Sequence, residues 1–497
     1  MITTTRSGQV RGTAHDDVLV FRGIPFAAPP VGELRWQLPQ REAAWEGVRD
    51  ATTFGPIAVQ GQMILEQLMG GEASEQSEDC LFLNVWTPAT DGSRPVMVWI
   101  HGGAFQFGSG STPWYDGSRF VQHGDVVLVT INYRLGPLGF MFLDELFDGF
   151  SGSGNLGIAD QVAALEWVRD NIAGFGGDPN DVTIFGESAG AGSVGTLLGT
   201  PSARGLFSKA ILQSGAASWG LSTDDANVRT RKVLAELGIT PGDTDALMAA
   251  TSESIVAASA ILGSEVGSGG LPYAPVHDGH VLPAPPLDAI ADGSSAGVAV
   301  LCGTNADEMT LFTIVDPTLA TLDDAGIAER LAGFDPTIDA ASLLRTYRDH
   351  KAGASTQDVW VAMASDGVFR IPAIQLVEAH RAHGPAWMYY FTWATPAFGG
   401  VLKSTHALEI PFVFDNLDQP GVEMFTGDGA DRQSIADGMH AAWIAFARTG
   451  DPSHPGIPAW PAYDLDRRAT MQIDATWQLV DDPEGDVRKY WEHETTL

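Results

Sequence analysis

Cysteine is nearly absent: in 497 residues there are two, Cys80 and Cys302. They lie far apart in sequence and match no metal-ligand spacing, so neither a disulfide framework nor a thiolate metal site organises this chain, and buried reduced thiols are expected. Positive charge is scarce too. Lysine and arginine together number 28 against 62 aspartates and glutamates, a formal net charge of −34. So acidic a surface repels phosphate backbones and anionic headgroups, which argues against nucleic acid and lipid as partners. Long apolar runs are missing as well, since no stretch approaches the roughly 18 consecutive apolar residues of a membrane span. The opening MITTTRSGQVRG has no apolar signal core, and no Asn-x-Ser/Thr acceptor occurs. These absences set the expectation of a cytoplasmic, soluble protein, a monomer or small homo-oligomer.

Linkers and repeats are lacking in the same way. No composition break or tandem repeat divides the chain, and the Gly/Ser patches at 151–154 and 267–270 are only loop-sized. The expectation is one domain over residues 1–497, carrying insertions at roughly 216–295 and 310–385.

What is present is a hydrophobic fraction of 44%, enough in a chain of this length for a large core. The runs VMVWI (96–100), VVLVTI (126–131), DVTIF (181–185), KAILQS (209–214), VAVLCG (298–303) and AWMYYFTW (386–393) read as strands. Several are continuously apolar, as in a parallel sheet covered on both faces. Between them lie helical periods. In residues 160–172, Val162, Leu165, Trp167, Val168 and Ile172 form an apolar stripe, and the following FGGDP reads as a stop. The fold class is therefore α/β, with chemistry expected at the carboxyl ends of the strands.

At one such end stands TIFGESAGAGS (183–193), centred on Ser188. In a Gly-x-Ser-x-Gly pattern the strand turns abruptly into a helix and the serine hydroxyl projects from the bend. A helix start capped by a serine is the duller reading. A second stretch, HGGAFQFGSGS (101–111), follows the strand 96–100. Gly102 and Gly103 have no side chains, so their N–H groups can approach a carbonyl oxygen and stabilise the charge that develops on it. Adjacent glycines can also merely make a turn. Paired with the serine pattern, they match the partner loop of a serine hydrolase, whose further donor is the amide after the nucleophile, here Ala189.

The chain resembles the type-B carboxylesterases of the α/β-hydrolase superfamily, a group that includes cholinesterases and bacterial para-nitrobenzyl-type esterases. The resemblance is carried by FRGIPFAAPPVGELRW (21–36), EDCLFLNVW (78–86), HGGAF (101–105), NYRLGPLGF (132–140), the block 154–179, VTIFGESAG (182–190), GTNADE (303–308) and HALEIPFVF (406–414). It implies a large, mostly parallel central sheet with helices on both faces and insertions forming a cap over an active-site gorge.

It also implies a triad. Ser188 is then the nucleophile, Glu308 the acid and His406 the base, with Gly102, Gly103 and Ala189 as the oxyanion hole. Sequence alone leaves Asp307 and Glu308 level as the acid; the resemblance selects Glu308. Among 12 histidines, His406 is singled out by its block. His101 is placed to order the glycine loop, His440 to a structural role on a helix, and His277 and His280 beside a turn. Glu187, Ser214 and Glu409 are supporting candidates, the last two through hydrogen bonds to the base or its surroundings. Arg35 should pair with Glu78, and Arg134 with Asp160.

Departures from the family are informative. Residues 1–79 contain no cysteine, so Cys80 should be free, in keeping with a reducing compartment. The loop 64–77 lacks the tryptophan with which cholinesterases hold a quaternary ammonium, so a choline ester is disfavoured. Upstream of YAPVHDG (273–279), where cholinesterases narrow the acyl pocket with phenylalanines, stands GSGGLP, which implies a wider acyl side. Phe105, Phe107, Trp219, Leu271 and Met309 are the candidate pocket-lining residues.

The expected reaction is hydrolysis of a small-molecule carboxylic ester through an acyl-enzyme, without metal or organic cofactor. Activity should fall as His406 protonates, near or below neutrality for an ordinary value of about 6.5. Two other classes stay open: an amidase or carbamate hydrolase using the same triad, and a non-catalytic binding protein of the same fold.

Overall fold

The computed structural model describes residues 1–61, 74–265, 270–314, 316–334 and 338–494. Three short strands, β1 (Ile2–Thr5), β2 (Gly8–Arg11) and β5 (Val48–Asp50), form a small sheet of their own. The others build one 11-stranded sheet: β3 (Thr13–His15), β4 (Val18–Pro25), β6 (Phe82–Thr87), β7 (Arg94–Ile100), β8 (Val127–Ile131), β9 (Gly177–Glu187), β10 (Lys209–Gln213), β11 (Ala299–Asn305), β12 (Ala386–Phe391), β13 (Ala469–Ile473) and β14 (Gln478–Asp481). Its order is β14-β13-β12-β11-β10-β9-β7-β8-β6-β4-β3. The stretch from β8 to β13 is parallel, and the strands outside it pair antiparallel.

Each run read from sequence as a strand is one. Alternation along β7 shows why the run is continuously apolar. Val96, Val98 and Ile100 enter one buried cluster, whereas Met97 and Trp99 enter another on the opposite face. The helix expected from residue 160 begins earlier and spans Leu156–Asn171. Gly157 does not break it, because that glycine is a packing feature: a Cβ there would come within 2.3 Å of the Phe140 ring. The expected stop at FGGDP also shifts. Gly176 takes the left-handed conformation, φ 75, and β9 already begins at Gly177. Cys80 and Cys302 are buried and unbridged.

Chain order explains where chemistry can occur. After β7 the chain moves to β8 on one side and then returns to β9 on the other, so the loops leaving β7 and β9 diverge. A crevice opens at such a switch point. Ile100 at the end of β7 lies opposite Gly186 of β9, which brings the glycine loop beside the serine bend.

The long connections after β10 and β11 are helical. The first holds helices Thr223–Leu237, Thr244–Ala249, Ser252–Glu265 and Pro286–Ala291. The second ends in helix Thr356–Ser365, a π turn at Asp366–Arg370 and helix Ile371–His380. That π turn is braced from the far end of the chain. Arg370 Nε donates to Asp366 at 2.6 Å and its Nη1 to the Pro483 carbonyl at 3.1 Å, while Nη2 lies 3.4 Å from Glu484. Tyr347 donates to Asp366 and accepts in turn from Trp491 Nε1 at 3.0 Å. The two ion pairs expected from the resemblance are present. Arg35 holds Glu78, with Nε to Oε2 at 2.7 Å, and the fully buried Asp160 takes Arg134 Nη2 at 2.7 Å.

Candidate active site

Ser188 sits on a strained bend between β9 and the helix Ala189–Gly199, with φ 56 and ψ −126. A side chain other than glycine tolerates that conformation only where its surroundings impose it. Here the Ser188 amide donates to the Gln213 carbonyl at 2.9 Å, and its own carbonyl accepts from Gly192 N at 2.8 Å. The flanking glycines answer to space. A Cβ on Gly190 would stand 2.0 Å from the Ile100 carbonyl oxygen, and one on Gly186 would stand 2.6 Å from Gly190 C.

The glycine loop meets this bend directly. A Cβ on Gly102 would lie 3.1 Å from Ser188 Cβ, so only hydrogen leaves room between them. The fully buried His101 orders the loop. Its Nδ1–H donates to the Gly102 carbonyl at 2.8 Å, its ring stacks on Tyr133 with centroids 4.5 Å apart, and the Tyr133 hydroxyl donates to the His101 carbonyl at 2.8 Å. Because a trans peptide sets C=O and the next N–H in opposite directions, fixing that carbonyl fixes the direction of the Gly103 N–H. Burial pushes the His101 imidazole down to about 4, so it stays neutral with one defined tautomer at neutral pH.

Across the cavity, His406 Nδ1 is 2.6 Å from Oε2 of Glu308, whose side chain is fully buried. Asp307, the rival acid, instead faces Ser404, taking its backbone N–H at 3.4 Å. Asn305 holds Glu308: its backbone amide donates to Glu308 Oε1 at 2.7 Å, and its Nδ2 donates to Glu409 Oε2 at 2.6 Å and to the Thr405 carbonyl at 2.8 Å. Glu409 also accepts from Gln213 Nε2 at 3.2 Å, and Gln213 Oε1 accepts from Trp443 Nε1 at 2.9 Å. Glu409 thus reaches His406 through Asn305 and Glu308.

The other imidazole nitrogen, Nε2, lies 3.0 Å from Oε1 of Glu187. Burial alone lowers the basicity of His406, but the charges of Glu187 and Glu308 outweigh it and raise the group to about 9. Burial pushes Glu187 up to about 8, opposed by the imidazolium. The contact is one of charge: neither Nε2 nor Oε1 has a hydrogen-bond partner among the described residues. Phe369 and Phe312 cover the imidazole, their centroids 4.9 and 5.1 Å from it.

These groups open onto a cavity of about 580 Å³ that Gly102, Gly103, Glu187, Ser188 and His406 help to line. Of the expected pocket residues, Phe107, Trp219, Leu271 and Met309 line it. Phe105 does not, which corrects the expectation. Its ring is fully buried edge-on against Phe140, 5.1 Å between centroids, because the residue adopts φ 59 and turns into the core. Ser214 is a second correction. Its amide donates to the Gly303 carbonyl at 2.9 Å, but its buried Oγ has no hydrogen-bond partner among the described residues. Most of the loop 64–77 and residues 267–269 of GSGGLP lie outside the described residues.

Sequence reasoning missed Phe312, Phe369, Val368 and Arg229, which also line the cavity. They come from the connections after β10 and β11, where no motif marks them. Asn305 carried a signal, standing inside the GTNADE block where a strand ends. Among the described residues no cluster of histidine, cysteine, aspartate and glutamate could hold a metal ion, and no helix is long and apolar enough to cross a membrane.

A mostly parallel sheet with a strained serine at the end of a central strand defines an α/β hydrolase. The chain belongs to the Carboxylesterase family, which matches residues 1–491. It is 41% identical over 496 residues to a para-nitrobenzyl esterase of Bacillus subtilis (strain 168), covering 98% of each chain. It is 36% identical over 493 residues to a phenmedipham hydrolase of Pseudarthrobacter oxydans, covering 95% of this chain and 94% of the relative. A crystal structure of a Geobacillus stearothermophilus carboxylesterase superposes with a TM-score of 0.90 at 44% identity, covering 99% of both chains. Its enzyme class is carboxylic ester hydrolase.

Proposed function

We propose that this carboxylesterase cleaves small-molecule esters by two-step acyl transfer, with Ser188 as nucleophile, His406 as base and Glu308 as the carboxylate that fixes the imidazole. The observation that carries this reading is the buried His406–Glu308 contact of 2.6 Å on the wall of the cavity that Ser188 also lines. With Nδ1–H donated to Glu308, a neutral His406 keeps its Nε2 lone pair for a proton. Nε2 takes the proton of Ser188 as the hydroxyl attacks the ester carbonyl. The amides of Gly102, Gly103 and Ala189 then receive the tetrahedral oxyanion, one such donor being worth about 3 kcal/mol. Nε2 returns the proton to the departing alcohol, and water cleaves the acyl-enzyme by the same route.

A fluorophosphonate probe should label the folded protein and fail on Ser188→Ala. Absence of labelling on folded wild-type protein would favour a binding role in place of catalysis. The same triad can act on amides, so matched para-nitrophenyl esters and para-nitroanilides decide the bond cleaved. Esters are expected to be turned over much faster, and equal turnover would refute the ester assignment.

A further inference from the structure

Among the described residues that line the cavity there is one lysine or arginine, Arg229. It projects from the helix Thr223–Leu237 and is half-buried, in a protein whose net charge is −34. Its Nη1 donates to the carbonyl oxygens of Leu271 and Pro272, the latter at 3.0 Å. Those two bonds use both Nη1 protons and no carboxylate, so the guanidinium is positioned by neutral acceptors.

Asp225 acts on the Arg229 charge through space, but not at ion-pair distance. Arg229 forms no ion pair among the described residues, and its remaining three N–H groups, on Nη2 and Nε, make no hydrogen bond to them. Asp225, one turn away on the same helix, has its carboxylate against the Ser222 hydroxyl at 2.6 Å. Glu187, the carboxyl group in the cavity, is engaged with His406. A guanidinium half out of water, held in place and without an ion-pair partner among the described residues, costs free energy that an arriving carboxylate recovers through charge-assisted, bidentate hydrogen bonds. The neighbouring wall is otherwise apolar, formed by Trp219, Leu221 and Leu271, and gives such a ligand a carbon chain to lie along.

We propose that Arg229 is a specificity-determining residue that binds an ionised carboxyl group of the substrate, so that this carboxylesterase takes anionic esters such as half-esters of dicarboxylic acids. The proposal rests on the ester-hydrolase reading above and adds the class of substrate.

Two matched ester pairs test it, each compared by kcat/KM in the wild type, Arg229→Gln and Arg229→Lys. Monoethyl adipate against ethyl hexanoate places the charge on the acid half; 4-butanoyloxybutanoate against butyl butanoate places it on the alcohol half. In one pair, the charged-to-neutral ratio should fall about tenfold or more in Arg229→Gln and by less than about threefold in Arg229→Lys. The pair that responds identifies the half that faces Arg229. An unchanged ratio in both pairs, or charged and neutral esters declining together, would reduce Arg229 to a brace for the Leu271–Pro272 backbone and overturn the proposal. So would a wild type inert toward both charged esters while it turns over the neutral ones. A wild type inert toward all four esters, charged and neutral alike, is a different result, and defeats the hydrolase reading itself.

Discussion

Nε2 of His406 lies 3.0 Å from Oε1 of Glu187, the residue immediately before the strained serine. In the proposed mechanism, the nitrogen that takes the serine proton therefore rests against the carboxyl group of Glu187. To act as the proposed base His406 must first lose its own proton, so the charge of Glu187 raises the pH at which it becomes available.

The acid limb of kcat/KM should accordingly lie above the 6.5 expected from sequence, toward the value of about 9 to which the surrounding carboxylates raise His406. The sign is fixed by the role: a base works only when deprotonated, and a raised pKa keeps it protonated to higher pH. Glu187→Gln removes one negative charge, so the limb should move to lower pH. A profile for Glu187→Gln that matched the wild type, or moved upward, would show that Glu187 does not control the base.

Glu308→Gln should keep the fold and lose activity. Glutamine fills the same space, but its amide can donate to Nδ1 and so favours the wrong imidazole tautomer. A fall in kcat of about 10⁴-fold is expected, the usual scale for this change in a triad. Loss of only a few-fold, with an unchanged circular dichroism spectrum, would return the role of acid to another group.

His101→Phe retains a ring to stack on Tyr133 but removes the donor to the Gly102 carbonyl. The glycine loop then loses the contact that aims the Gly103 N–H. Steady-state kinetics should show kcat down by about 10²-fold with KM little changed, the pattern of a lost transition-state donor. A change in KM alone would contradict this account.

Gly190→Ala tests the packing that forces the bend. Its new Cβ would meet the Ile100 carbonyl oxygen at 2.0 Å, and backbone cannot swing aside as a side-chain tip can. Urea unfolding should show a loss of about 3 kcal/mol or more, or no folded protein. Wild-type stability would mean that the close approach relaxes at little cost.

The sheet centre was legible because its strands are buried on both faces and so read as unbroken apolar runs. The strands β1 to β6, with β13 and β14, were not identified from pattern, since most are short, exposed or half-buried and carry little periodic signal. Ser188, Glu308 and His406 could be named because their blocks resemble those of a family, and Asp307 shows the limit of residues alone: its neighbour bonds the imidazole while it faces Ser404. Phe105 was misplaced because a positive φ, invisible in a string of letters, turns a ring from cavity to core. Arg229 was missed because cavity walls are assembled from segments distant in sequence.

The π turn that carries Phe369 over the imidazole is fastened through Arg370 and Asp366 to Pro483, Glu484 and Trp491. The helix Gly485–Glu494, with the two residues before it, is in effect a rear anchor for the ceiling above the imidazole. A purification handle placed behind that helix, or a protease nick near Pro483, would be felt first in which compounds fit beneath that ceiling, well before the sheet itself gave way.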